Sequence, residues 1–95
     1  MANYKLSPNA KDDLERIWFY GLEQWGQARA DQYLQELFEA IGKIADSPYH
    51  YQAIDHIRPG YRRCVFKSDT IYFRIGEETV EIIAILGRQD RAKWV

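Results

Sequence analysis

Tyr61, Arg62 and Arg63 stand side by side in "IRPGYRRCVF" (Ile57 to Phe66), and Tyr72 and Arg74 follow in "TIYFRI". Guanidinium groups bind phosphates and carboxylates through paired N–H donors, and a phenol donates to developing negative charge. The cluster therefore has the parts of a phosphate clamp for a pentacovalent transition state, as metal-free RNA cleavage requires. Such a reaction also needs a group that takes and returns a proton near neutral pH. His56 is the only histidine close in sequence, and it precedes the strand in a loop. The same cations suit an acidic protein surface, or a strand face lying in solvent. Residue types alone leave the three readings open.

Other chemistries find less support. His50 and His56 are six residues apart with Asp55 beside them, which matches neither zinc nor facial-triad spacing, so no metal is expected. There is no Gly-x-Ser-x-Gly elbow, and Gly60, Gly76 and Gly87 each stand alone at turns rather than in a phosphate-binding loop. No catalytic residue and no cofactor are expected. The acidic residues fall mostly on the polar faces of predicted helices, where they read as solvated surface rather than as paired acids in a cleft. Cys64 is the only cysteine, which excludes an internal disulfide; it reads as a small apolar strand residue.

These side chains need elements to hold them. "NYKLS" is a short alternating segment, followed by Ser7 as a helix cap and Pro8 at the first helical position. Ala10, Leu14, Ile17, Trp18, Gly21, Leu22 and Trp25 then fall on one side of a helix that ends near Gly26. Ala30, Tyr33, Leu34, Leu37, Phe38, Ile41, Ile44 and Ala45 form a second stripe, closed by Asp46-Ser47-Pro48. The pair predicts an antiparallel helical hairpin. After Pro48 the helical pattern stops. "YRRCVF", "TIYFRI" and "TVEIIAIL", separated by the polar loops "KSD" and "GEE", predict a three-stranded antiparallel meander. A sheet with an apolar face must cover it, and the hairpin has the only other apolar surface. The expected fold is α+β in one domain over residues 1–95: an N-terminal strand, the hairpin, then the meander, with the helices on one sheet face. Arg62, Arg63, Tyr72 and Arg74 would appear on the open face wherever they point away from the helices.

With 95 residues, 46% of them hydrophobic, the chain has material for one core. Net charge is −1: residues 1–46 hold five Lys/Arg against eight Asp/Glu, and residues 47–95 hold eight against six. So mild a polarity disfavours direct nucleic-acid binding, whose strength grows with the number of engaged cations. No apolar run exceeds Ile82 to Leu86, and the start "MANYKLSPN" lacks a signal-peptide core, so a cytoplasmic protein without membrane contact is expected. Phe19 and Tyr20 lie off the first helical stripe by phase and suit a partner's groove, with Trp18 and Leu22 as its floor.

In order along the chain, Leu6, Ser7, Ala10, Asp13 and Leu14, the Trp25-Gly26 hinge, Ile57-Arg58-Pro59-Gly60 leading into Arg62-Arg63, then "IYFRI" and "EIIAILGRQD" resemble the ParE branch of the RelE/ParE toxin superfamily. The resemblance spans essentially the whole chain. It implies a toxin paired with a ParD-like antitoxin, with DNA gyrase as target, acting by stoichiometric protein binding rather than as an enzyme. Arg62, Arg63, Arg74, Arg88 and Tyr72 are then expected to contact target or antitoxin, and Trp18, Phe19, Tyr20 and Leu22 to form the antitoxin groove. The alternatives are a ribosome-dependent messenger-RNA nuclease of the RelE kind, with Arg62, Arg63 and Tyr72 at its site, or an interaction module that has lost toxicity. Many ParE-like chains carry histidines in the middle and last strands and an arginine in the last. Here Ser68-Asp69-Thr70-Ile71 and Ala84-Ile85-Leu86-Gly87 take those places, which weighs further against RNA cleavage.

Overall fold

A computed structural model describes residues 3–87 of the protein. Strand β1 (Tyr4–Leu6) leads into helix α1 (Pro8–Trp25), helix α2 (Gln27–Asp46), a 3-10 turn at Pro48–His50, and strands β2 (Gln52–Ala53), β3 (Tyr61–Phe66), β4 (Asp69–Ile75) and β5 (Val80–Gly87). The sheet order is β1-β5-β4-β3-β2. The expected α+β plan is present. The meander gains a strand that the sequence did not announce, the two-residue β2, and the N-terminal strand lies at the edge, parallel to β5.

The hairpin turns on one residue. Gly26 has φ 91°, a conformation costly for any residue with a Cβ, and its N–H bonds to the Leu22 carbonyl while its own carbonyl opens α2 by accepting from Ala30. The two helices lay Ala10, Leu14, Ile17, Leu37, Ile41 and Ile44 against Ile71, Phe73, Val80, Ile82 and Ile85 of the sheet, and all of these are buried. The alternation of Ile71, Phe73 and Ile75 thus points at the helices, as a half-buried strand should. At β5 the simple alternation fails. Tyr72 faces Ala84 and Phe73 faces Ile82, so Ile83 is an extra residue in a bulge, and both Ile82 and Ile85 reach the helix side.

The opposite sheet face is less open than expected. The loop after β2 folds over it, and Ile54, Ile57, Tyr61, Tyr72, Ala84 and Leu86 make a second, smaller core. Asp55 accepts from the Gly60 N–H at 2.7 Å, and Gly60 takes φ 83°, so the Pro59-Gly60 turn holds this cover in place.

Only the first part of β5 has a strand beside it on the β1 side. Beyond that, polar side chains of α1 replace a neighbouring strand. The Ser7 hydroxyl accepts from Ala10 N–H as helix cap and donates to the Ile83 carbonyl at 2.7 Å. Asp13 Oδ2 accepts from the Ile85 N–H at 2.9 Å, and Arg16 donates to the Ile85 carbonyl at 2.9 Å. Asp13 was expected among solvated helix acids; it is instead half-buried and holds a strand. Removing it strands a buried N–H, which costs about 1–3 kcal/mol. Asp13→Ala should therefore lower the urea-unfolding free energy by that amount, whereas Asp12→Ala, at an exposed neighbour, should change it by less than about 0.5 kcal/mol.

Candidate partner-binding surfaces

Register decides where the arginines point. Residues directly opposite in an antiparallel pair share a face, and Arg62 pairs with Phe73, Arg63 with Tyr72, and Tyr61 with Arg74. Arg62 therefore lies on the helix side with Cys64 and Phe66, while Arg63 lies on the other side with Tyr61 and Val65. The expectation of Arg62 as an open-face cation is corrected: it emerges beside the 3-10 turn, where its Nη1 donates to the Tyr51 carbonyl at 2.7 Å and its guanidinium stacks 5.1 Å from the Tyr49 ring centroid. Arg63 Nε donates to Gln52 Oε1 at 3.0 Å. Arg74 is exposed and paired with Glu81, Nε to Oε1 2.6 Å.

Tyr72 was expected on display and is only 3% exposed, because the loop carrying Ile54 and Ile57 covers it. His50 and His56 are exposed, one in the 3-10 turn and the other in the loop after β2. Arg88 lies outside the described residues. Among the described residues no cluster of His, Cys, Asp and Glu is arranged to hold a metal ion, and no helix is long and apolar enough to cross a membrane.

The α1 aromatics stand where their phase put them. Phe19 is 52% exposed and Tyr20 59%, while Trp18 and Leu22 are half-buried beside them. Trp18 is fixed by an indole N–H bond to Asp31 of α2 at 2.8 Å and by an edge contact with Phe19 at 5.1 Å between centroids. Trp25, on the α1 stripe by phase, is in fact exposed at the end of the hairpin. Rings continue from it: Tyr20 to Trp25 at 6.3 Å, Trp25 to Tyr33 at 5.7 Å and Tyr33 to Phe66 at 5.5 Å. Arg29 lies over Trp25, and Lys67 over both Tyr33 and Phe66 while pairing with Glu36.

Under these rings the Tyr33 hydroxyl donates to Asp69 Oδ2 at 2.6 Å, tying α2 to β4. Sequence reasoning missed this bond, since Tyr33 read only as a stripe residue; a polar-tipped ring on an apolar stripe, which usually needs a partner, was the available signal. Burial, and then the hydrogen bond and charge of Asp69, hold the Tyr33 phenol well above its ordinary value of about 10. Its neutral form is thus favoured by folding, and the contribution is present in full below pH 10 and is lost as pH rises beyond it. The stability margin of wild type over Tyr33→Phe should stay constant up to about pH 10 and shrink above it, as read by urea midpoints across pH.

The fold is a helical hairpin packed on one face of a mixed five-stranded sheet. A solved structure of the chromosomal ParDE TA system from P. aeruginosa superposes with a TM-score of 0.81 at 19% identity, over 92% of this chain and 96% of that one. A conserved hypothetical protein from Helicobacter pylori follows at 0.61 and 14%, over 94% and 97%. Toxin ParE1 of Mycobacterium tuberculosis is 42% identical over 86 residues, 90% of this chain and 88% of its own length. Toxin ParE1 of Caulobacter vibrioides is 40% identical over 93 residues, 98% and 96% of the two chains. Residues 4–92 match the family model of the ParE toxin of the parDE type II toxin-antitoxin system. The chain belongs to the ParE toxin family.

Proposed function

We propose that this toxin inhibits DNA gyrase by stoichiometric protein binding, blocks replication, and is neutralised by a ParD-like antitoxin that covers the α1 aromatics. Membership in a family named for the parDE toxin-antitoxin system supports an antitoxin partner. The observation that carries the non-enzymatic mechanism is the divergence of Arg62 and Arg63. Because adjacent strand residues leave on opposite faces, the two guanidiniums emerge on either side of the sheet and do not converge on a single phosphate. The third member of a nuclease constellation, Tyr72, lies beneath the loop instead of beside a cleft. What remains suits protein recognition: arginines and aromatics are the side chains that carry most binding energy at protein interfaces.

Arg63 and Arg74 then act as open-face contacts to target or antitoxin, Arg62 acts from the opposite side, and Arg88 continues the cationic set. Tyr72 contributes from beneath, by supporting the loop that carries Ile54 and Ile57 on the same sheet face as Arg63 and Arg74. Phe19 and Tyr20 insert into the antitoxin, over a floor of Trp18 and Leu22.

Plasmid supercoiling by purified gyrase, with added toxin and a titration of its antitoxin, tests the reading. Loss of supercoiling reversed by antitoxin is expected. Intact supercoiling, together with codon-phased RNA ends in arrested cells, would replace it with the nuclease. Phe19→Ala with Tyr20→Ala should weaken antitoxin binding at least about 30-fold, the effect of losing about 2 kcal/mol at an aromatic anchor, with the far-ultraviolet spectrum unchanged.

A further inference from the structure

The cations of this surface divide into two kinds. Arg16, Lys67 and Arg74 each face a carboxylate, from Asp13, Glu36 and Glu81 respectively. Arg62 and Arg63 are half-buried and face only neutral groups among the described residues: a carbonyl and a tyrosine ring for one, a glutamine amide for the other. Partial burial of a charge is costly unless a countercharge comes with it, so these two are the positions at which an incoming carboxylate gains most.

Their placement limits what such a partner looks like. Both side chains run outward over β2, the last strand of the sheet: Arg62 reaches the Tyr51 carbonyl just before it, and Arg63 reaches Gln52 within it. Ile54 N–H bonds inward to the Tyr61 carbonyl, so strand alternation turns the peptide groups of Ala53 away from β3, on the side where no described strand lies. The small side chain of Ala53 shares the face of Arg62 and leaves it uncovered. Tyr49, 72% exposed, adds an aromatic surface beside Arg62.

We propose that the β2 edge is a binding site for an extended acidic peptide segment of a partner protein. The segment's backbone bonds to the outward groups of Ala53. Its successive side chains fall on opposite faces, so that two adjacent carboxylates meet Arg62 and Arg63 across the edge. A nucleic-acid strand fits less well, because its phosphates line one backbone while the two cations lie on either side of a sheet. The inference rests on the reading that the chain acts through protein contacts, but not on gyrase being the target.

Fluorescence polarisation of the full chain with a short labelled peptide of β-branched residues, carrying two adjacent glutamates at its centre, tests it without gyrase or antitoxin present. Failure of either this assay or the supercoiling assay therefore leaves the other result standing. Saturable binding is expected, weakened about tenfold by Arg62→Gln or Arg63→Gln, about a hundredfold by both, and unchanged by Lys11→Gln. Exchange of the Ala53 amide proton in the wild-type chain should slow when peptide is added, a readout independent of whether the variants fold. No saturable binding, binding insensitive to both arginines, or preference for a labelled oligouridylate over the peptide would each overturn the proposal.

Discussion

The structure depends on how the exposed side of β5 is satisfied. A strand buried among Ile71, Phe73 and the helices cannot leave its peptide groups bare, yet β1 reaches only as far as Ile82. Ser7, Asp13 and Arg16 of α1 take over from there, bonding Ile83 and Ile85 in turn. These bonds fix the height and rotation of α1 on the sheet. Through the single-residue hinge at Gly26 they fix α2 as well. The Leu-Ser-x-x-Ala-x-x-Asp-Leu opening therefore has a mechanical meaning: its apolar members pack, its serine caps and bridges, and its aspartate replaces a missing strand.

Much of this was legible in the residues. Helical stripes of three- and four-residue spacing appear where a helix has one wet and one dry side, and both helices do. The alternation through Ile71 and Ile75 was equally clear. The face of β3 was not, because Tyr61, Arg63 and Val65 in one phase and Arg62, Cys64 and Phe66 in the other each hold one cation and two partly apolar residues. Only pairing with β4 breaks that tie, and pairing is a long-range property. Asp13 was hidden for a related reason: a helical wheel shows which residues leave the apolar stripe, not that a strand edge waits beside one of them. β2 is too short to carry any period at all.

The two surfaces sit on different elements and draw on different physics. The hairpin end offers rings, with Tyr20 edge to face on Trp25, Trp25 tilted against Tyr33, and cations laid over them, a hydrophobic surface with modest electrostatics. Among the described residues, the β2 side offers two arginines that face only neutral groups, at the last strand of the sheet. If both bind as proposed, one small domain engages two partners, or two parts of one, without either contact disturbing the buried layer between helices and sheet.

The N-terminal segment and β5 meet across 76 positions of sequence, as in the bond from Thr79 to the Asn3 carbonyl and that from Ser7 to Ile83. Contacts so distant in the chain form late, since the intervening loop must be closed first. On the ribosome, a nascent chain lacking residues 80–87 has neither the partner of β1 nor the strand that seats α1. Assembly of the sheet, and with it of the surfaces that rest on it, must wait until residues 80–87 have been made. A chain cut short before residue 80 would thus carry Phe19, Tyr20, Arg62 and Arg63 without the strand on which α1 is seated.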